Sequence, residues 1–181
     1  MFQITYPSLF VCITLAWIAV RAYWAYRHQT IDWRRELRLL TLYVCMVVIA
    51  RIVYFPWHHV DGQIAPLVFD ASRVFPLWLN PVPLVRLFEV YDGWQRNLVG
   101  NIAMFIPVGI FLPFCFKELD TIKKVTLAGF GCSLFIEISQ LPFFDRATDV
   151  DDLLLNTVGT FLGAAVYFGM VRLTKPLKNS N

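Results

Sequence analysis

Charged residues are scarce in this chain. Asp, Glu, Lys and Arg make up 16% of its 181 residues, whereas 57% are hydrophobic. A soluble globular domain carries about 25% charge, so a single water-soluble core is excluded. The net charge is +3, and the basic residues stand in blocks beside apolar runs. This arrangement is typical of membrane topology and not of a nucleic-acid-binding face.

Cysteine, histidine and catalytic motifs are scarce as well. The four cysteines lie inside apolar segments without a CxxC pair: Cys12, Cys45, Cys115 and Cys132. They are interpreted as small buried hydrophobic residues, not as disulfides or metal ligands. His58 and His59 are interpreted as a solvated pair at the membrane surface. No Ser-His-Asp order, phosphate loop or metalloprotease helix occurs, so the sequence predicts no metal and no cofactor.

Internal repeats, coiled-coil heptads and low-complexity tracts are also missing. Residues 1–181 are therefore predicted to form a single membrane domain. Residues 1–6 lack the basic segment that opens a secretory signal, and no cleavable signal is expected.

The chain does contain apolar runs long enough to cross a bilayer, which takes roughly 20 residues per helix. Five spans are predicted, at about residues 7–26, 39–56, 97–116, 125–144 and 153–171. The predicted fold class is all-α: a polytopic membrane helix bundle of about five transmembrane helices.

The basic residues predict the orientation of this bundle. Eleven of the 16 Lys and Arg residues fall on one side: Arg21, Arg27, Arg34, Arg35, Arg38, Lys117, Lys123, Lys124, Arg172, Lys175 and Lys178. The positive-inside rule then places the C-terminus in the cytoplasm and the N-terminus outside. A multi-pass membrane protein is expected.

The segment 57–96 is the long outer loop of this prediction. It is apolar and broken by four prolines, and it is too short for another span and its return. It is interpreted as interfacial or partly re-entrant, with Trp57, Trp78 and Trp94 at headgroup level. The alternative is a lid over the bundle with no ligand role.

Polar residues interrupt the apolar sequence between Arg96 and Gly163. A polar group at membrane depth is costly, and it is usually present for function or for helix pairing. Asn97 and Asn101 are four residues apart and share a helix face. Gly100 beside them allows close approach of another backbone, and Pro107 and Gly109 kink or loosen the same helix. The structural alternative is that the two amides hydrogen-bond across helices.

Glu137 is the sharpest functional candidate, and Gln140 lies three residues on, on the same face. An isolated carboxylate inside a membrane is costly, so Glu137 is predicted to pair with Arg146, Arg51 or Arg96. The alternative is an ion pair that only connects helices.

An acidic loop over residues 145–152 precedes the fifth span, and Asp149, Asp152 and Asn156 share one face at i, i+3 and i+7. Asp151 or Asp152 alone can complement a helix N-terminus. The carboxylates with Glu137 can also hold a divalent cation, although their spacing is not a calcium-loop pattern. Gly159 and Gly163 form a small-xxx-small pattern for close helix packing, with Gly129 and Gly131 as the expected partners.

Several ordered motifs resemble those of VanZ-like membrane proteins. The run Asn97-Leu-Val-Gly-Asn101-Ile-Ala-Met-Phe-Ile-Pro-Val-Gly109 resembles the family signature NxxGNxxxFxPxG. The pattern ExxQ…R…DxxD…NxxG…G is matched by Glu137, Gln140, Arg146, Asp149, Asp152, Asn156, Gly159 and Gly163. Asn80-Pro-Val-Pro-Leu84 resembles the NxxPF element, with Leu84 where Phe is usual. The VanZ-like region is placed at about residues 39–173, and its strongest part is 80–163.

The resemblance implies a multi-pass protein of a bacterial cytoplasmic (inner) membrane with a role in the cell envelope. The family takes its name from a protein associated with low-level resistance to teicoplanin, a glycopeptide antibiotic with a fatty-acyl tail. The first hypothesis is a binding protein for an amphipathic envelope molecule: a lipid-linked cell-wall precursor, an anionic lipid or a lipoglycopeptide. Asn97, Asn101, Gln140 and Arg146 would contact its headgroup, and Glu137 would orient Arg146 or accept a proton.

Two alternatives stay open. The first is a structural helper that packs on other membrane proteins through Gly159 and Gly163. The second, less favoured, is an enzyme at the membrane surface that uses Glu137, Asp149 and Asp152.

Overall fold

A computed structural model describes residues 2–55, 62–74, 79–80, 94–144 and 148–174. These residues include five α-helices, which are α1 (Tyr6–His28), α2 (Trp33–Tyr54), α3 (Trp94–Cys115), α4 (Ile122–Gln140) and α5 (Val150–Thr174). Each helix overlaps one predicted span, so the helical class is confirmed.

Four helices of the described part are long and apolar enough to cross a membrane. They cover Tyr6–His28, Trp33–Tyr54, Asn97–Cys115 and Val150–Thr174. Helix α4 is not among them, and its 19 residues include Lys123, Lys124 and Glu137. The count of five spans and the orientation therefore stay predictions.

Short strands accompany the helices. Strand β1 (Phe2–Ile4) pairs antiparallel with β2 (Leu67–Phe69), in the register Phe2 to Phe69. Strand β3 (Leu79–Asn80) pairs parallel with β4 (Thr148–Asp149), and a 3₁₀ helix covers Ala71–Val74. The sequence did not predict these strands, because two or three residues are too few to show the alternation that marks a strand.

The chain divides into two compact units. Unit one comprises Met1–Asn80 and Ile136–Asp149, and unit two comprises Pro81–Phe135 and Val150–Asn181. The single-domain assignment stays a prediction.

Helices α1 and α2 form a hairpin in unit one. Thr5 caps α1 by accepting from the Ser8 N–H at 3.3 Å, and Gln29 ends the helix in a left-handed conformation with φ of 53°. Asp32 then caps α2 by accepting from two backbone N–H groups. Between the helices, Thr14 Oγ1 and Tyr43 Oη lie 2.7 Å apart. Local capping thus determines where both helices begin.

Extended segments lie together at the other end of α1 and α2. We call residues 2–4, 67–70 and 142–144 the extended cap. The Phe144 N–H donates to the Val68 carbonyl at 3.0 Å, and the Asp70 N–H donates to the Pro142 carbonyl at 2.8 Å. The aromatic rings of Phe69 and Phe143 meet edge to face with centroids 6.1 Å apart. The extended cap therefore connects the N-terminus to the segment that follows α4.

Glycines bring α3 and α5 close together in unit two. A Cβ added to Gly163 would lie 2.1 Å from the Ile106 carbonyl oxygen, and one added to Gly159 would lie 2.3 Å from the Ile102 carbonyl oxygen. A Cβ at Gly109 would meet the backbone of α5, with the Thr160 oxygen at 2.1 Å. Only glycine permits backbones at this separation.

The closest contacts of Gly159 and Gly163 are with α3, and not with Gly129 and Gly131 as expected. Their nearest neighbours belong to α3, whereas a Cβ at Gly129 would meet the side chain of Thr160. A Cβ at Gly131 or Gly100 would meet nothing within 4 Å among the residues described here. The role expected for Gly100 thus stays a prediction, and α3 continues through Pro107 and Pro113.

The burial of the cysteines and of the apolar side chains differs from that in a water-soluble protein. All four cysteines are free, and Cys45 and Cys115 are buried, but Cys12 and Cys132 are exposed. The expectation that all four are buried is wrong for those two. Helix α1 has no buried residue, although it is apolar enough to cross a membrane. A membrane helix is apolar on its outward face as well as its inward one, so apolar sequence does not identify the buried side.

Candidate functional site

In unit one, Glu137 contacts the backbone of the acidic loop. The residue is 4% exposed, and its Oε2 accepts from the Asp149 N–H at 3.1 Å. Asp149 belongs to β4, directly before α5, and is itself 8% exposed. The carboxylate of Glu137 thus positions the end of the loop that leads into α5.

The last turn of α4 contacts the last turn of α2 through polar groups. Gln140 Nε2 donates to the Val53 carbonyl at 3.2 Å. The hydroxyls of Tyr54 and Ser139 form a short hydrogen bond, and Ser139 Oγ also donates to the Ile136 carbonyl at 2.7 Å. Glu137 and Gln140 therefore lie in a segment of α4 that is tied to α2. Sequence reasoning missed Tyr54 and Ser139, although Ser139 is adjacent to Gln140 in the motif.

In unit two, a second polar group connects α3 to the first turn of α5. Asn101 Nδ2 donates to Asn97 Oδ1 at 2.9 Å, as the four-residue spacing predicts. The same nitrogen donates to Asp152 Oδ1 at 2.6 Å. Both N–H groups of the Asn101 amide are thus engaged within the protein. Asp151 and Asp152 lie in the first turn of α5, where negative charge complements the helix dipole.

Asn156 connects α5 to α4 deeper in unit two. Its Nδ2 donates to Ser133 Oγ at 2.9 Å, and Thr160 Oγ1 donates to the Asn156 carbonyl at 3.0 Å. Asn156 is 2% exposed, and its Oδ1 has no hydrogen-bond partner among the described residues. Ser133 and Thr160 were not predicted, but each lies one helical turn from a predicted residue, Glu137 and Asn156, and that spacing is the signal that finds them.

Some predicted residues lie outside the described part of the chain. These are Arg146, His58, His59, Trp57 and Trp78, the side chains of Trp94 and Arg96, and most of the 57–96 loop. Arg51 Nη1 donates to the Phe55 carbonyl at 3.2 Å, and its guanidinium lies 5.5 Å from the Tyr6 ring centroid. The ion pair expected for Glu137 therefore stays a prediction.

The chemistry of the described site is that of hydrogen bonding and positioning. Among the described residues, no group of three or more His, Cys, Asp or Glu side chains is placed to hold a metal ion. The described oxygens of Glu137 and Asp152 accept hydrogen bonds from the protein itself. Such contacts fix the ends of helices and the loop between them.

Long apolar helices with buried polar side chains at their ends define a helical membrane protein. The chain belongs to the VanZ/LLP1 family, whose sequence model matches residues 39–172. Over 75 residues it is 40% identical to Protein VanZ of Enterococcus faecium, and this match covers 41% of the chain and 46% of that protein. The chain thus aligns with less than half of the length of this relative. No solved structure matches the chain.

Proposed function

We propose that this protein is a five-span protein of the bacterial cytoplasmic membrane, with its N-terminus outside, that binds an amphipathic envelope molecule at its outer face. The ligand is a lipid-linked cell-wall precursor, an anionic lipid or the acylated glycopeptide teicoplanin, and binding of the last would give low-level resistance. Membership of the VanZ/LLP1 family supports an envelope role. The observation that carries the proposal is the buried carboxylate of Glu137, which holds the Asp149 backbone at the end of an apolar helix.

Arg146 is the residue proposed to contact the ligand. It lies in sequence between Phe144, whose N–H is bonded to Val68, and Asp149, whose N–H is bonded to Glu137. A guanidinium recognises phosphate through two parallel hydrogen bonds. Glu137 acts in this proposal as a positioning residue for the loop that carries Arg146.

The side-chain amides of Asn101 and Gln140 are proposed to shape the site and not to contact the headgroup. The Asn101 amide donates to Asn97 and Asp152, and the Gln140 amide donates to Val53. These donors already have protein partners, so they shape the site, and the headgroup is left to Arg146.

Lipids that co-purify with the protein test this proposal. The full chain is purified in mild detergent as wild type, Arg146→Ala and Arg172→Ala, and bound lipids are identified by mass spectrometry. A polyprenyl-linked or specific anionic lipid should be enriched in the wild type and in Arg172→Ala, and lost in Arg146→Ala. Arg172 is the matched control because it is an exposed arginine at the far end of α5. Identical bulk phospholipid in all three samples contradicts the proposal.

A structural role for the same residues is the second candidate. The hydrogen bonds from Asn101 to Asp152 and from Asn156 to Ser133 each connect two helices, and such amide contacts are a common means of pairing membrane helices. A helper that recruits partners through Gly159 and Gly163 is less well supported, since both glycines are buried against α3 of the same chain. If these residues have only a structural role, Arg146→Ala should change neither the bound lipids nor resistance.

A further inference from the structure

The end of α1 and the start of α2 carry a concentration of positive charge. We call residues 21–38 the arginine hairpin; it contains five arginines and two acidic residues. Helix α1 is 23 residues long, so its C-terminal end, inside the arginine hairpin, lies about 34 Å from its start. It is therefore a separate region from the extended cap and from Glu137.

Both acidic residues of the arginine hairpin are already engaged. Arg21 Nε donates to Glu36 Oε2 at 2.8 Å, and its Nη2 donates to the other carboxylate oxygen. Asp32 Oδ1 accepts from the backbone N–H groups of Arg34 and Arg35 at 3.0 and 3.3 Å. The charges of Arg27, Arg34 and Arg35 are thus not neutralised by these two carboxylates.

An aromatic side chain orients one of these guanidinium groups. The Arg35 guanidinium lies 3.8 Å from the Trp24 ring centroid, and Trp24 also stacks on His28 with centroids 4.0 Å apart. Tyr26 and Trp33, in the same stretch of the sequence, are 73% and 72% exposed. Exposed Tyr and Trp rings are typical of the level of lipid headgroups.

We propose that the arginine hairpin binds the phosphate of an anionic phospholipid headgroup through Arg27, Arg34 and Arg35. Guanidinium groups match phosphate oxygens in geometry and charge. The ligand is a lipid and not free phosphate, because the adjacent helix α1 is apolar with no buried residue and can accommodate acyl chains along its length. Clusters of basic residues next to a membrane helix attract anionic lipids in the same way.

Native mass spectrometry of the full chain in detergent tests this site. Phosphatidylglycerol and phosphatidylcholine are titrated separately onto wild type and onto the triple variant Arg27→Gln/Arg34→Gln/Arg35→Gln. The wild type should prefer phosphatidylglycerol, and the triple variant should lose about 100-fold in affinity for it, at about fivefold per arginine. Binding of phosphatidylcholine should not change.

The matched control is Lys117→Gln/Lys123→Gln/Arg172→Gln, which removes the same charge from three exposed positions elsewhere. It should retain the affinity for phosphatidylglycerol. An equal loss in this control would show nonspecific attraction and overturn the site. Equal affinity of the wild type for phosphatidylglycerol and phosphatidylcholine would also overturn the site. If an equal concentration of inorganic phosphate displaced the lipid, the proposal that the ligand is a lipid would be wrong.

Discussion

The Glu137 side chain has two properties that substitutions can remove separately, an acceptor oxygen and a negative charge. The acceptor is used by the Asp149 N–H. The charge is costly in an apolar surrounding, and its ion pair with Arg146, Arg51 or Arg96 stays a prediction. Substitutions that remove one property or both distinguish a positioning role from an ion pair.

Replacing Glu137 by Ala should destabilise the protein more than replacing it by Gln. Alanine leaves the buried Asp149 N–H without its acceptor, at a cost of about 1–3 kcal/mol. Glutamine keeps an oxygen for that bond and should cost less. Thermal unfolding of the detergent-solubilised protein, followed by circular dichroism, measures both. An equal loss in the two variants would show that the charge, and hence an ion pair, is the stabilising property.

The bond between Asn156 and Ser133 gives a second prediction at the residue scale. A double-mutant cycle with Asn156→Ala and Ser133→Ala should give a coupling of about 0.5–1 kcal/mol. Unfolding in detergent by chemical denaturant supplies the four free energies. Thr126 bonds only to its own helix in the described contacts, so the cycle of Thr126→Val with Asn156→Ala should be additive. Coupling in that control and none with Ser133 would contradict the assignment.

The contact of α3 with α5 is the most extensive helix-to-helix contact among the described elements. It depends on glycines on both helices, because Gly109, Gly159 and Gly163 each place backbone where a Cβ would clash. The polar contact from Asn101 to Asp152 lies at one end of the same pair of helices. Loosening the glycine contact should therefore also disturb the polar end.

Replacing Gly163 by Ala should destabilise the pair of helices by about 1–3 kcal/mol. The added methyl group would lie 2.1 Å from the Ile106 carbonyl oxygen, so the two backbones must separate. Gly169→Ala in the same helix is the control, since a Cβ there meets nothing within 4 Å among the described residues. That control should be neutral or stabilising by up to about 1 kcal/mol. Similar thermal stability in both variants would argue against close packing at Gly163.

The topology of the complete protein depends on whether α4 crosses the membrane. Four helices of the described part meet the length and hydropathy of a span, and α4 carries three charged residues. If α4 crosses, the two termini lie on opposite sides; if it does not, they lie on the same side.

Reporter fusions at both ends should place the termini on opposite sides. Green fluorescent protein at the C-terminus should fluoresce, as it does in a cytoplasm, and alkaline phosphatase at the N-terminus, preceded by its own export signal, should be active outside. The same phosphatase at the C-terminus is the control and should be inactive. An active phosphatase at both ends would contradict the five-span topology and favour four.

The helices and the family can be predicted from the sequence alone. Apolar runs predicted all five helices, because the length of a span is a local property of the chain. The four-residue spacing of Asn97 and Asn101 likewise predicted that their side chains meet, as their 2.9 Å hydrogen bond shows. The ordered motifs predicted the family, whose sequence model matches residues 39–172.

The contacts between groups far apart in the chain are seen only in the folded protein. The bond of Glu137 to the Asp149 backbone, the contact of Asn101 with Asp152 and the packing of Gly163 on α3 join residues far apart in the chain. Local periodicity carries no information on such partners. The exposed Cys12 and the buried Cys45 show the same limit, since both lie in apolar runs. In a membrane protein the lipid-facing and inward faces have similar hydropathy, so burial is determined by packing.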